Sequence, residues 1–269
     1  MPTPDAAAYS GLLQPVTLIG ARVALAIRET ARDDSVRCKE DGSPVTAADI
    51  AADAMIRDAL MALAPTLPIV SEEQKEPPQP ARGGGYFLVD PLDGTREFIA
   101  GRDEYTINIA LVAGGTPLLG VIVAPALGLI WRGVVGSGAE RLAFAADGNI
   151  VPEGAIRTRP RPPHETVALV SRSHLDARTQ GFLARLPQPR ALPCGSALKF
   201  CRVAEGAADL YPRLAPTRDW DVGAGHAIVV AAGGNVLAPD GATLRYGTPE
   251  RLIPGFIATG AAEAFPITG

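Results

Sequence analysis

At 269 residues, 47% of them hydrophobic and 20% charged, the chain can build one large or two ordinary domains, which excludes a stapled mini-scaffold and wholesale disorder. Lys and Arg number 25 against 29 Asp and Glu, a formal net charge of −4, so no general attraction to a nucleic-acid polymer is expected. The three cysteines contain no C-x-x-C pair, which disfavours a disulfide framework or thiolate metal site, and no leader-like start is read, so the expected compartment is the cytoplasm.

In chain order, Leu12, Leu13, Val16, Ile19, Val23 and Ile27 recur at helical spacing and predict a helix over 10–31. A second helix is expected over 46–63, ended by Pro65. Pro68-Ile69-Val70 and Tyr86-Phe87-Leu88-Val89 read as buried strands, with a Pro- and Gly-rich exposed loop over 74–85 between them. A short helix is expected over 95–99. The stretch from Tyr105 to Trp131 carries no charge and is long enough to span a membrane. Gly114-Gly115-Thr116-Pro117 and later Gly and Pro residues divide it, so it reads as strand, turn and strand, and no transmembrane segment is expected. One more strand is expected near 142–146, and 151–163 is the expected linker.

Beyond it the expected elements are a strand over 166–171, helices over 175–186 and 197–205, a strand over 208–211 and a helix over 221–232. The last is stopped by Gly233-Gly234 before Asn235-Val236-Leu237. The first half reads as α+β and the second as α/β, giving an N-terminal metal-binding domain over 1–150 and a C-terminal substrate-binding domain over 151–269.

Four acids stand at strand ends or helix starts: Asp49, Glu72, Asp90 and Asp93. Hard divalent cations such as Mg²⁺ take oxygen ligands and are commonly completed by substrate phosphate. The three histidines are isolated, which disfavours zinc. Gly94-Thr95 opens a helix directly after Asp93, placing backbone N–H groups where phosphate binds. Asp90 to Thr95, D-P-L-D-G-T, read alone is also compatible with a capped turn.

Ser71-Glu72-Glu73, Asp90 to Thr95, and Trp220-Asp221-Val222-Gly223-Ala224 occur in this order. Together they resemble the signatures of the inositol monophosphatase superfamily, Mg²⁺-dependent and lithium-sensitive phosphatases with a layered αβαβα sugar-phosphatase-like architecture in two subdomains. Ser43 to Asp49, Val170 to His174, Gly195 to Cys201 and Leu210 to Arg213 are similar to its 3′(2′),5′-bisphosphate nucleotidase branch. The inositol-specific branch carries glutamate at the position of Arg213, where a cation suits a second phosphate.

The resemblance implies two or three Mg²⁺ per site. Glu72 and Asp90 would hold the first, Asp90, Asp93, Asp221 and the Leu92 carbonyl the second, and Asp49, with Thr46 beside it, would help hold a third. Glu72 and Thr95, with Asp49 and Thr46, would serve catalysis, and the Gly94 and Thr95 N–H groups would hold phosphate. Lys199, Arg213, Ser196 and His174 would bind the rest of a phosphorylated nucleotide. The implied activity is hydrolysis of 3′-phosphoadenosine 5′-phosphate to AMP and phosphate, with sulfur metabolism as its setting. The rivals are an inositol-1-phosphate phosphatase and an inactive phosphate- or nucleotide-binding relative. A peripheral place at the inner membrane face and the oligomeric state stay open.

Plainer roles compete at several positions. Thr46 and Asp49 also fit a helix cap, Lys199 a solvated helix lysine, and His174 a loop closure. Asp53, four residues before Arg57, fits a surface ion pair. Trp220 fits packing better than recognition, and Cys194 and Cys201 fit small core residues.

Overall fold

The apolar periodicity of the first sixty residues produces two helices that cover one face of a sheet. In this computed structural model, which describes residues 6–29, 37–38, 44–81, 83–160, 165–172 and 175–260, a 3₁₀ turn over Ala6–Leu12 leads into α1, Leu13–Glu29. The helix expected over 10–31 therefore begins as 3₁₀ and turns α-helical at Leu13. The segment Ala6–Glu29 has the length and hydropathy of a membrane span, yet Val16, Val23, Ala24 and Ile27 are spent on the protein core. A two-stranded ribbon follows, β1 (Arg37–Cys38) with β2 (Pro44–Val45). Then comes α2, Ala47–Leu63.

The seven-stranded sheet runs in chain order through β3 (Ile69–Ser71), β4 (Tyr86–Asp93), β5 (Thr106–Ala113), β6 (Thr116–Ala124), β7 (Leu129–Val134), β8 (Gly138–Phe144) and β9 (Ile150–Ile156). Only β3 and β4 are parallel. A short helix α3, Thr95–Ile99, joins β4 to β5. The uncharged run is thus three antiparallel strands. It lacks alternation because both faces of the sheet are buried: Phe87, Val89, Ile107, Ile109 and Leu111 point to α1 and α2, while Leu88, Ala110 and Val112 point the other way. Each fully buried side chain of this size is worth about 1.5–3 kcal/mol relative to exposure. The linker expected over 151–163 is corrected in its first part, which is edge strand β9. Its Val-Pro-Glu-Gly sequence is exposed on that edge and lacks the apolar signal of a core strand.

The second half contains β10 (Thr166–Ser171), α4 (Ala177–Leu183), β11 (Pro189–Cys194), α5 (Leu198–Ala204), β12 (Leu210–Arg213), β13 (Thr217–Arg218), α6 (Trp220–Ala231), β14 (Asn235–Leu237), β15 (Leu252–Ile253) and β16 (Phe256–Thr259). Five of these strands form a mixed sheet in the order β11-β10-β12-β16-β14, and β13 pairs with β15. Side-chain alternation again assigns the layers. Val167 and Leu169 join the central core with Val222, Ile228 and Val229 of α6, whereas Ala168 and Val170 pack with Phe182 and Leu183 of α4. The order is α1/α2, seven-stranded sheet, α5/α6, five-stranded sheet, α4, an αβαβα stack. Gly120 of β6 lets α6 approach, since a Cβ there would lie 2.2 Å from the Ala224 carbonyl oxygen.

Candidate active site

Strand geometry gathers the acids. The parallel pairing sets Ser71 opposite Val89, and the Glu72 N–H donates to the Val89 carbonyl at 3.2 Å, so Glu72, just past the end of β3, stands beside Asp90 of β4. Asp90 and Asp93 are three residues apart, which on a regular strand places them on opposite faces. Here the register slips: Asp90 pairs with Asn108 and Asp93 with Thr106, so β4 carries one extra residue. This bulge brings both carboxylates to the same cleft. Pro91, which has no N–H to lose, sits inside it. The Leu92 N–H donates to Asp90 Oδ1 at 3.1 Å.

Helix α6 supplies the third wall of the site. Asp221 lies in its first turn and accepts a short hydrogen bond from the Thr217 hydroxyl and a bond from the Arg218 N–H at 3.3 Å. Oxygens of Glu72, Asp90 and Asp221 all fall within 4.8 Å of one another. Asp93 lines the same cleft outside that trio and accepts from Asn108 Nδ2 at 3.4 Å. Burial, then Glu72, Asp93, Asp221 and Asp49, push the Asp90 carboxyl well above its ordinary range. Burial and Asp221 raise Asp93 to about 6 against the pull of Lys199. Crowded carboxylates with no nitrogen or sulfur ligand among them are the chemistry of a hard divalent cation site, and these residues fit one.

Asp49 caps α2 and also reaches the turn after Asp93. Asp49 Oδ2 accepts from the Thr46 N–H at 2.8 Å and the Thr46 hydroxyl at 2.5 Å, a capping box on α2, while Oδ1 accepts from the Thr95 hydroxyl at 3.0 Å. At 2% exposure, Asp49 connects the start of α2 to the turn after Asp93. Gly94 has φ 94°, and a Cβ there would lie 3.1 Å from the Glu104 carbonyl oxygen. The surface ion pair expected of Asp53 is corrected. Asp53 is buried, and besides Arg57 it accepts from the Ser71 hydroxyl at 2.5 Å, tying α2 to the end of β3, just before Glu72.

The cleft also holds cations. Lys199 is 3% exposed, which excludes the solvated-lysine reading, and its Nζ donates to the carbonyls of Cys194 at 3.1 Å and Ser196 at 2.6 Å. It lies 5.0 Å from the centre of the Tyr211 ring. Arg213, at the end of β12, shares the cleft. Burial works against its charge, but Tyr211 and Asp221 outweigh that and hold its pKa up. Ser196 is also present, with φ 45°. The cleft of about 250 Å³ thus joins Glu72, Asp90, Leu92, Asp93, Gly94, Thr95 and Asp221 to Ser196, Lys199 and Arg213. His174 lies outside the described residues. Trp220 packs against the central core with Arg218 over its ring, and Cys194 and Cys201 are buried there.

Three contributors escape the sequence motifs. Asn108 had a signal, an amide in an otherwise apolar strand. Thr217 and Glu104 had none: Thr217, four residues before Asp221, stands in a two-residue strand outside any motif, and Glu104 meets Gly195 across 91 residues of chain.

Comparison with known proteins agrees with this geometry. Residues 12–265 match the model of the inositol monophosphatase family. The 3′(2′),5′-bisphosphate nucleotidase CysQ of Escherichia coli O157:H7 is 43% identical over 234 residues, 86% of this chain and 91% of that protein. The crystal structure of CysQ from Bacteroides thetaiotaomicron superposes with a TM-score of 0.76 at 34% identity, covering 95% of this chain and 98% of that one. An inositol monophosphatase from Anabaena (Nostoc) sp. PCC 7120 gives 0.74 at 25% identity, covering 94% and 92%. With bulged β4, capped α2 and the α6 start converging on one cleft, the chain belongs to the inositol monophosphatase family.

Proposed function

We propose that this cleft hydrolyses 3′-phosphoadenosine 5′-phosphate to AMP and phosphate. The observation that carries this reading is the cleft's mixed charge. Glu72, Asp90, Asp93 and Asp221 line it together with Lys199 and Arg213, so two phosphates of one substrate can find different partners. The CysQ relatives support the same choice.

Glu72, Asp90, Asp93, Asp221 and the Leu92 carbonyl would hold two Mg²⁺, with a third near Asp49. When bound, the ions supply an acidified water and positive charge to offset the leaving oxygen. The Thr95 hydroxyl donates to Asp49, which leaves its oxygen lone pairs free to accept a hydrogen bond from the attacking water; as the water's proton moved to Thr95, the hydroxyl would pass its own proton to the Asp49 carboxylate. Glu72 orients that water from the end of the neighbouring strand β3. The Gly94 and Thr95 N–H groups hold the reacting phosphate, and Lys199, Arg213, Ser196 and His174 bind the remainder of the nucleotide.

The test is phosphate release from 3′-phosphoadenosine 5′-phosphate and from inositol 1-phosphate, each with Mg²⁺ and with a chelator. The expected result is Mg²⁺-dependent turnover strongly favouring the bisphosphate. Equal rates on both substrates, or a rate unaffected by chelation, overturn the reading.

A further inference from the structure

The cleft is lined by residues of several layers, and one partly exposed ion pair, beside the lining residues Ser171 and Gly195, joins two of them. Glu104 lies in the loop between α3 and β5. Its Oε2 accepts from Arg172 Nε at 3.0 Å and from the Gly195 N–H at 2.9 Å, and its Oε1 accepts from Arg172 Nη2 at 2.9 Å. Arg172 follows β10, and its Nη2 also reaches the Pro193 carbonyl at 3.3 Å. One carboxylate thereby gathers the ends of β10 and β11 and holds them to the loop that leads into β5.

The packing beneath is equally constrained. A Cβ on Gly195 would lie 2.7 Å from the Glu104 carbonyl oxygen and 2.8 Å from its Cβ. A Cβ on Gly94 would meet Ser196 Cβ at 3.4 Å. Ser196, the next residue, is held at a φ that side chains avoid, and its carbonyl anchors Lys199. The contact between Glu104 and Gly195, together with the Ala197 N–H that donates to Asp93, therefore sets how far Ser196 and Lys199 stand from the Asp93–Thr95 turn.

We propose that Glu104 and Arg172 form a clamp that sets the width of the cleft, so that both act as positioning residues for the part of the substrate remote from the reacting phosphate. Arg172 spends its fork on Glu104 in both parallel contacts and is not itself a phosphate ligand. The substrate assumed is the bisphosphate of the preceding section, and the clamp itself is independent of that choice. An exposed pair contributes little to stability, so its loss leaves the fold intact while the loop drifts. Displacements of an ångström at a binding wall cost up to about a hundredfold in rate constants.

The experiment compares the wild type with Arg172→Ala, Glu104→Gln, Glu104→Ala/Arg172→Ala and Gly195→Ala, measuring KM and kcat for 3′-phosphoadenosine 5′-phosphate, the Mg²⁺ activation constant, and amide hydrogen exchange over 195–200. Arg172→Ala is expected to raise KM at least about tenfold with kcat within about threefold and the Mg²⁺ constant unchanged, and to speed exchange in that segment. The double variant should be no worse than the worse single, because the pair acts as a unit. Glu104→Gln, which keeps an acceptor for Gly195, should lose less. Gly195→Ala leaves every charge in place and should raise KM as Arg172→Ala does. If Gly195→Ala is silent and the losses of the paired variants add, Arg172 binds substrate directly and the clamp is wrong. Unchanged exchange in Arg172→Ala also overturns it. Absence of turnover by the wild type would instead refute the substrate, with the exchange data still deciding the clamp.

Discussion

Asp90 concentrates the chemistry of the site in one side chain. It is 1% exposed, adjoins Glu72 and Asp221, and is held above its ordinary pKa by burial and by its like-charged neighbours. Asp90→Asn is expected to lower kcat by at least about a hundredfold, since it removes a central ligand while keeping the shape. The metal-free variant should melt no lower than the metal-free wild type, because one buried repulsive charge is gone. Calorimetry beside a phosphate-release assay checks both, and activity within about threefold of the parent contradicts the assignment. Arg213 makes the complementary case. A charge-assisted contact to a second phosphate is worth roughly 1.5–3 kcal/mol, so Arg213→Glu should reduce kcat/KM for 3′-phosphoadenosine 5′-phosphate at least about tenfold. Monophosphate substrates should change much less. Parallel losses on both would assign Arg213 a structural role instead.

Among the elements, α6 carries the most consequence. It is packed between the two sheets and buries residues on every side, so its sequence has apolar residues all round rather than a stripe. His226 within it is 8% exposed, contacts the Tyr246 hydroxyl at 2.9 Å, and is lowered to about 4 by burial. A folded-state value below the unfolded 6.5 means that the unfolded chain takes up a proton first as pH falls. Its contribution is therefore complete above that value and is lost between it and about 4, at roughly 1.4 kcal/mol per pH unit. His226→Asn should flatten the fall in urea midpoint over that window. At the start of α6, Asp219 is buried with Arg251 Nη1 3.9 Å from its Oδ2, and Arg251 also donates to the Pro78 carbonyl at 2.7 Å. Arg251 thus connects the loop after Glu72 to the helix that presents Asp221. Arg251→Met leaves a buried carboxylate without its cation and should destabilise by about 3–5 kcal/mol. Arg251→Met combined with Asp219→Asn should recover much of that loss in thermal melts.

Across the whole molecule, the candidate ligands come from separate layers: Glu72 and Asp90 from the seven-stranded sheet and Asp221 from the helical layer beneath it. A cation bound among them couples those layers. Mg²⁺ is expected to raise the melting temperature of the chelated protein by mass action, with about 2.7 kcal/mol gained at a hundredfold excess over Kd. Inorganic phosphate added with Mg²⁺ should raise it further, and a melt insensitive to Mg²⁺ would argue against a site at this junction.

The short-range chemistry was already present in the chain itself. Helical spacing delivered α1 and α2, Gly and Pro divided the uncharged run into strands, and three separated motifs marked Glu72, Asp90, Asp93, Thr95 and Asp221. Such features rest on neighbours a few residues away, where backbone sterics and side-chain periodicity act directly. Tertiary structure alone decided the rest. Edge strand β9 has an exposed, Pro-interrupted sequence, and β11 and β16 gain their order from pairing rather than propensity. Asp53 reads as a surface partner of Arg57 until Ser71, 18 residues away, is folded onto it. The Glu104–Arg172 contact spans 68 residues and the Thr95–Asp49 contact 46. No local pattern encodes a contact of that separation, because its energy exists only once the layers have packed and brought both partners into reach.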